Sequence, residues 1–295
     1  MKHLGYTHSA FKLGYDAAAL LPRGICQGLG STLGLASYLA TPASRVALRQ
    51  NLKRVTGIDG FALDRLCRTN FQNFGRMLAD YFYATGQNAE SVRALLGAWH
   101  GIGHLRSALE AGRGVVLITA HLGNWELGGS ILALDGFPMN VVTLKEPTSE
   151  LTAMRDRYRK KLGTRTIILG EDKFAFVEMV AALKRNEIVC MLVDRPYGET
   201  GTPVEFFGKT APFSTAPALL WEHTGAAVVP AFVLQSARNG YSAIIQPSVP
   251  LERAPNRQES LARNTQHIAD VFEKTIRNHP EQWFNYIPIW NNEAP

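Results

Sequence analysis

From residue 113 onward, short β-branched apolar runs alternate with helix-length segments. This alternation constrains the fold more than any other feature of the chain. The clearest run is residues 115–119, Val-Val-Leu-Ile-Thr, set off by Gly112 and Gly114. It is too short for a stable helix and has no polar face, so it reads as a buried strand. Residues 188–193 form a second such run, and residues 140–144, 166–169, 226–234 and 241–245 are further strand candidates. Helical patterns fill the gaps at residues 124–134, 150–162, 174–184, 214–223 and 261–278. Strands that alternate with helices predict an α/β fold with helices covering a sheet.

The first 110 residues have a different texture. Phe61, Leu63, Leu66, Cys67, Phe71, Phe74, Leu78 and Phe82 recur at three- and four-residue steps, the apolar face of a helix. The expected organisation is an N-terminal helical extension, residues 1–110, packed on a core of residues 111–295 in one continuous domain. Residues 17–40 are the most apolar early stretch, interrupted by Pro22 and Arg23. The uninterrupted part, residues 24–40, is at the lower limit for a bilayer span, which needs about 17 residues or more. It is read as an interfacial or monotopic helix, with a true span as the alternative. Residues 1–15, with Lys2 and His3, lack the continuous apolar core of a cleavable leader.

Composition narrows the partners. A net charge of +6 favours an anionic surface or an acidic partner. The three cysteines, Cys26, Cys67 and Cys190, are widely spaced and form no CxxC, which argues against a disulfide framework or zinc cluster. His100 and His104 are four apart, but Gly101 and Gly103 weaken the helix that would align them, and no metal site is expected. Neither a P-loop nor a G-x-S-x-G nucleophile elbow is present.

The segment that carries chemistry is Thr119-Ala120-His121-Leu122-Gly123-Asn124-Trp125-Glu126-Leu127. His121 lies just past a buried strand and Glu126 opens the next helix, which Asn124 is placed to cap. A carboxylate that holds one imidazole nitrogen protonated leaves the other free to take a proton from a hydroxyl. The hydroxyl oxygen then becomes the nucleophile, with no enzyme Ser or Cys required. His121 and Glu126 are therefore the expected catalytic pair. In isolation, a histidine at a strand end is more often structural.

The flanking sequence decides more. Gly112 through Leu127 resembles the signature of the lipid A biosynthesis acyltransferases, the late lauroyl and myristoyl transferases, in which His-x4-Glu follows an apolar strand. The likeness continues through Asn51-Leu52-Lys53-Arg54-Val55-Thr56-Gly57, Arg159 with Gly163, Asp194, Val204-Glu205-Phe206-Phe207-Gly208, Thr224 through Pro230, and Pro280-Glu281-Gln282-Trp283-Phe284. Two places depart from it. Arg195 stands where the family usually has Gln, and Asn285-Tyr286 where it commonly has Trp and His.

The resemblance implies a glycerolipid acyltransferase-like fold: a central mixed sheet flanked by helices, with an N-terminal membrane-associating extension. It implies an O-acyltransferase that moves a fatty acyl chain from an acyl carrier protein or coenzyme A thioester to a hydroxyl of a lipid A precursor or related glycolipid. It also implies no resident cofactor, and a place on the cytoplasmic face of a bacterial inner membrane. His121 would be the base and Glu126 its orienting partner. Arg159, Asp194 and Asn124 are candidates for binding substrate, Arg159 through a lipid phosphate. The basic run Arg155, Arg157, Arg159, Lys160 and Lys161 would dock an anionic headgroup or acidic carrier protein; nucleic acid is not an expected partner. The alternatives are another lipid acceptor, such as a phosphatidylinositol mannoside or glycerophospholipid, or a thioesterase using the same pair.

Overall fold

A computed structural model describes residues 8–170, 174–196, 201–236 and 240–290; Lys2 and His3 lie outside them. The chain begins with helices α1 (His8–Leu20), α2 (Arg23–Ala40), α3 (Pro42–Thr56) and α4 (Gly60–Gly86), then the short α5 (Ala89–Arg93). Pro22 separates α1 from α2 because it cannot donate to a continuing helix. The Asp59 carboxylate opens α4 by accepting from the Gly60 N–H. Helices α2 and α4 touch backbone to backbone. A Cβ placed on Gly75 would lie 2.0 Å from the Gly30 carbonyl oxygen, and one on Gly34 would lie 2.2 Å from that of Phe71. Beside this contact, the fully buried Asp80 accepts from Arg23 Nε (2.8 Å) and Nη2 (2.9 Å), from Gln27 (2.9 Å) and from the Tyr241 hydroxyl (2.8 Å). A buried carboxylate is tolerated only when so paired, so this set ties α2 to the body of the protein.

The remaining elements are β1 (Leu96–His100), α6 (Ile102–Glu110), β2 (Val115–Thr119), α7 (Trp125–Leu134), β3 (Met139–Leu144), α8 (Ser149–Lys161), β4 (Arg165–Leu169), α9 (Phe174–Lys184), β5 (Ile188–Leu192), β6 (Thr202–Phe206), β7 (Lys209–Phe213), α10 (Ala216–Thr224), β8 (Ala227–Gln235), β9 (Tyr241–Ile245) and α11 (Arg257–Asn278). Seven strands form one sheet in the order β1-β9-β8-β2-β5-β3-β4. Strands β8, β2, β5, β3 and β4 are parallel; β9 runs antiparallel to β8, and β1 pairs parallel with β9. The sheet is therefore mixed and helix-flanked, as expected. Strand β2 lies at its centre with every residue buried.

Two features were not anticipated, and a third decides between two expectations. The N-terminal portion is not wholly helical, because β1 joins the edge of the sheet. Strands β6 and β7 form a separate hairpin, with Phe207 (φ 51) and Gly208 (φ 72) as its two-residue turn. Among the described residues, no helix is long and apolar enough to cross a membrane. The spanning alternative for residues 17–40 therefore gives way to two helices broken at Pro22.

Candidate active site

The register of β2 with β5 pairs Thr119 with Leu192. His121 and Asp194 each lie two residues further on, past the carboxyl ends of neighbouring central strands, where α/β sheets gather ligand-facing groups. His121 Nδ1 lies 2.7 Å from Asp194 Oδ1. Asp194 is fully buried, and its Oδ2 accepts three N–H groups: the His121 backbone (3.1 Å), Trp283 Nε1 (3.0 Å) and Asn285 Nδ2 (3.2 Å). Burial alone would raise this carboxyl. The charge and hydrogen bond of His121, with Arg195 and Trp283, outweigh burial and hold it down to about 2. An ionised carboxylate only accepts, so His121 Nδ1 carries the proton and donates, and Nε2 is left with a lone pair. Burial pushes the imidazole below its ordinary pKa; Asp194 draws it back up, and Arg195 adds to the lowering. The neutral form of a base is thus favoured near pH 7.

The expected partnership of His121 with Glu126 is not what the structure has. Glu126 occupies the first turn of α7, and its carboxylate is held by Arg159 Nη2 (2.6 Å) and Arg155 from α8. Arg155 also binds Glu146. The two guanidiniums overcome the effect of burial and lower Glu126 to about 2. Arg159 is only 3% exposed and committed to Glu126, so it is not placed to meet a lipid phosphate. The basic run of α8 is likewise not one outward face. Arg155 and Arg159 turn inward, Lys160 pairs with Asp156 (2.7 Å), and Lys161 donates to the Thr85 carbonyl (2.8 Å). Asn124 is fully buried, and its Oδ1 accepts from the Leu127 N–H (3.1 Å), the expected helix cap rather than a substrate contact. Gly123 adopts φ 64 with a would-be Cβ 2.0 Å from the Val233 oxygen, so only glycine fits this turn.

A strap of residues 280–290 completes the site. Phe284 N donates to the His121 carbonyl (2.7 Å) and Gly123 N to the Gln282 carbonyl (3.0 Å), with Leu122 and Trp283 bridged antiparallel between them. Three asparagines hold the strap from outside. Asn51 Nδ2 donates to the carbonyls of Asn285 (2.9 Å) and Ile287 (2.8 Å), Asn70 Nδ2 to those of Pro280 (3.1 Å) and Trp283 (2.9 Å), and Asn73 Nδ2 to that of Glu281 (3.1 Å). Trp283 and Asn285 were not expected at the site; the Pro-Glu-Gln-Trp match was the one signal pointing to this segment. The Trp125 indole sits edge-on to His121 (centroids 5.5 Å apart) and near Phe284 (6.4 Å). Trp125 borders a small cavity of about 20 Å³, walled by Gly129, Val141, Val142, Met191 and Leu192, with Glu126 and Arg159 at its polar side. Among the described residues, no cluster of His, Cys, Asp or Glu is arranged to hold a metal.

A family model described as bacterial lipid A biosynthesis acyltransferase matches residues 1–291, nearly the whole chain. The chain belongs to this family. Within the bacterial lipid A biosynthesis acyltransferases, it is 30% identical over 288 residues to a phosphatidylinositol mannoside acyltransferase of Mycobacterium tuberculosis, covering 96% of this chain and 88% of the relative. It is 27% identical over 286 residues to the enzyme of the same name from Mycolicibacterium smegmatis, covering 96% and 91%. A lipid A biosynthesis palmitoleoyltransferase of Escherichia coli is 25% identical over 223 residues, 75% of this chain and 69% of the relative. The protein is accordingly an O-acyltransferase.

Proposed function

We propose that this acyltransferase moves a fatty acyl chain from an acyl carrier protein or coenzyme A thioester to a hydroxyl of a membrane glycolipid, with His121 as general base. The observation that carries this reading is the 2.7 Å contact between His121 Nδ1 and Asp194, which leaves Nε2 as the proton acceptor. Nε2 takes the acceptor's hydroxyl proton as its oxygen attacks the thioester carbonyl carbon. The tetrahedral intermediate collapses, the C–S bond breaks, and the departing thiolate takes the proton back from Nε2. Asp194 holds the imidazole in the right tautomer and stabilises its charged form. Glu126, clamped by Arg155 and Arg159, sets the position of α7 behind the histidine.

Two acceptors have support: a lipid A precursor, from the family, and a phosphatidylinositol mannoside, from relatives that match 96% of the chain. The coverage favours the mannoside as the first acceptor to test. Access to the membrane is supported by α2, where Ile25, Leu29 and Leu33 repeat every four residues and are more than half exposed. We read this stripe as lying in the interface of the inner membrane's cytoplasmic leaflet.

The test is mass spectrometry of lipids after incubation with acyl carrier protein and coenzyme A thioesters, with each acceptor offered in vesicles. The expected product is a glycolipid heavier by one acyl group, absent with His121→Ala. Free fatty acid alone, from folded protein, would instead establish a thioesterase.

A further inference from the structure

Every catalytic carboxylate must be told which oxygen to present, and here the strap does so. Oδ2 of Asp194 is occupied by the backbone N–H of His121, the Trp283 indole and the Asn285 amide, at 3.1, 3.0 and 3.2 Å. Only Oδ1 is left for the imidazole. Two of the three donors come from residues spaced two apart on one extended segment. Trp283 and Asn285 are both fully buried and aimed at the same oxygen, Trp283 also packing edge-on to Phe206 in the core.

We propose that Trp283 and Asn285 are positioning residues that fix the Asp194 carboxylate and set how strongly it holds the His121 proton. The proposal rests on the reading of His121 and Asp194 as the catalytic pair. Each N–H on Oδ2 withdraws charge from the carboxylate and weakens it as a base. Removing one donor makes Asp194 a stronger acceptor toward the imidazole, so His121 keeps its proton to higher pH. It also frees the carboxylate to rotate, which misaligns the imidazole. The anchors are themselves fixed, because Asn51 and Asn70 hold the carbonyls of Asn285 and Trp283.

The experiment compares Trp283→Phe and Asn285→Ser with the wild-type full chain. The His121 imidazole nitrogens are titrated by NMR on histidine-labelled protein, alongside the pH dependence of kcat. We expect the His121 titration and the acidic limb of kcat to move together to higher pH in both variants. We expect kcat to fall about ten-fold or more, the scale of one lost hydrogen bond to a buried charge, with KM within about two-fold. If a cavity at Trp283 prevents folding, the smaller change at Asn285 decides alone. A folded variant whose His121 titrates as in wild type, with only the melting temperature lowered, would overturn the proposal and leave the strap a structural element. Turnover surviving in His121→Ala would remove the catalytic reading instead; the NMR titration still reports whether the strap tunes the pair.

Discussion

His121 Nδ1 donates across 2.7 Å to Asp194, a carboxylate seventy-three residues away in sequence. Glu126, five residues away, is bonded instead to Arg159 and Arg155. The two carboxylates therefore have separable roles, and substitution should separate them. His121→Ala should lower turnover by roughly 10²- to 10⁴-fold with little change in melting temperature. Asp194→Asn, which permits the wrong tautomer, should cost roughly 10²-fold or more in kcat. Glu126→Gln should act first on stability, because it leaves the buried Arg159 guanidinium undercompensated; breaking a buried pair costs about 3–5 kcal/mol. Calorimetry and turnover measured on the same samples decide. A Glu126→Gln protein of wild-type stability but no activity would restore Glu126 as the orienting carboxylate.

The pH profile follows from the histidine. His121 must be neutral to act as base, and burial sets its pKa below the ordinary 6.5. Activity should therefore rise with pH along a limb centred below 6.5 and be flat at neutrality. Asp194 raises the imidazole pKa, so Asp194→Asn should shift the limb further down. A limb centred above 7 in the wild type would contradict this. Stability has its own window. Asp194 and Glu126 are both lowered to about 2, so their contribution is present above the ordinary carboxylate range. It is lost as pH falls from about 4 toward 2, where circular dichroism should record acid unfolding.

The contact between α2 and α4 gives a paired prediction. Gly75→Ala would press a methyl against the Gly30 carbonyl and force the helices apart, an overpacking cost of about 1–3 kcal/mol. Gly28, on α2 with Gly30, has nothing within 4 Å of a would-be Cβ. Gly28→Ala should stabilise by up to about 1 kcal/mol through helix propensity. Denaturant unfolding of both variants would show opposite signs; equal effects would mean that the close approach does not matter.

Membrane seating is tested at Leu29 and Leu33. Leu29→Glu with Leu33→Glu should reduce co-sedimentation with anionic vesicles several-fold while changing unfolding stability by no more than about 1 kcal/mol, since exposed positions tolerate substitution. Undiminished vesicle binding would assign membrane contact to another surface.

Much of the core was legible because its strands are buried on both faces. An uninterrupted β-branched run such as Val115 to Thr119 has no other stable use. Strand β1 was not legible: Leu96–His100 sits on the edge, half exposed, and includes a glycine. The β6–β7 hairpin was hidden by Pro203 and Pro212. They face each other in register, and neither has an N–H, so theirs must be a non-hydrogen-bonded pair, which tolerates both. His121 was singled out from its place after a strand. Its hydrogen-bond partner was missed because sequence proximity favoured Glu126, and only strand register brings Asp194 alongside. Arg159 looked free to bind a lipid phosphate because the chain does not reveal which face of α8 turns inward.

The strap also orders events in time. Helices α1 to α4, with the exposed apolar stripe of α2, are made well before residues 280–290. Trp283 and Asn285, which complete the surroundings of Asp194, come after every strand and every long helix. On the proposed seating of α2, a growing chain thus reaches a bilayer while its reactive centre is still unassembled.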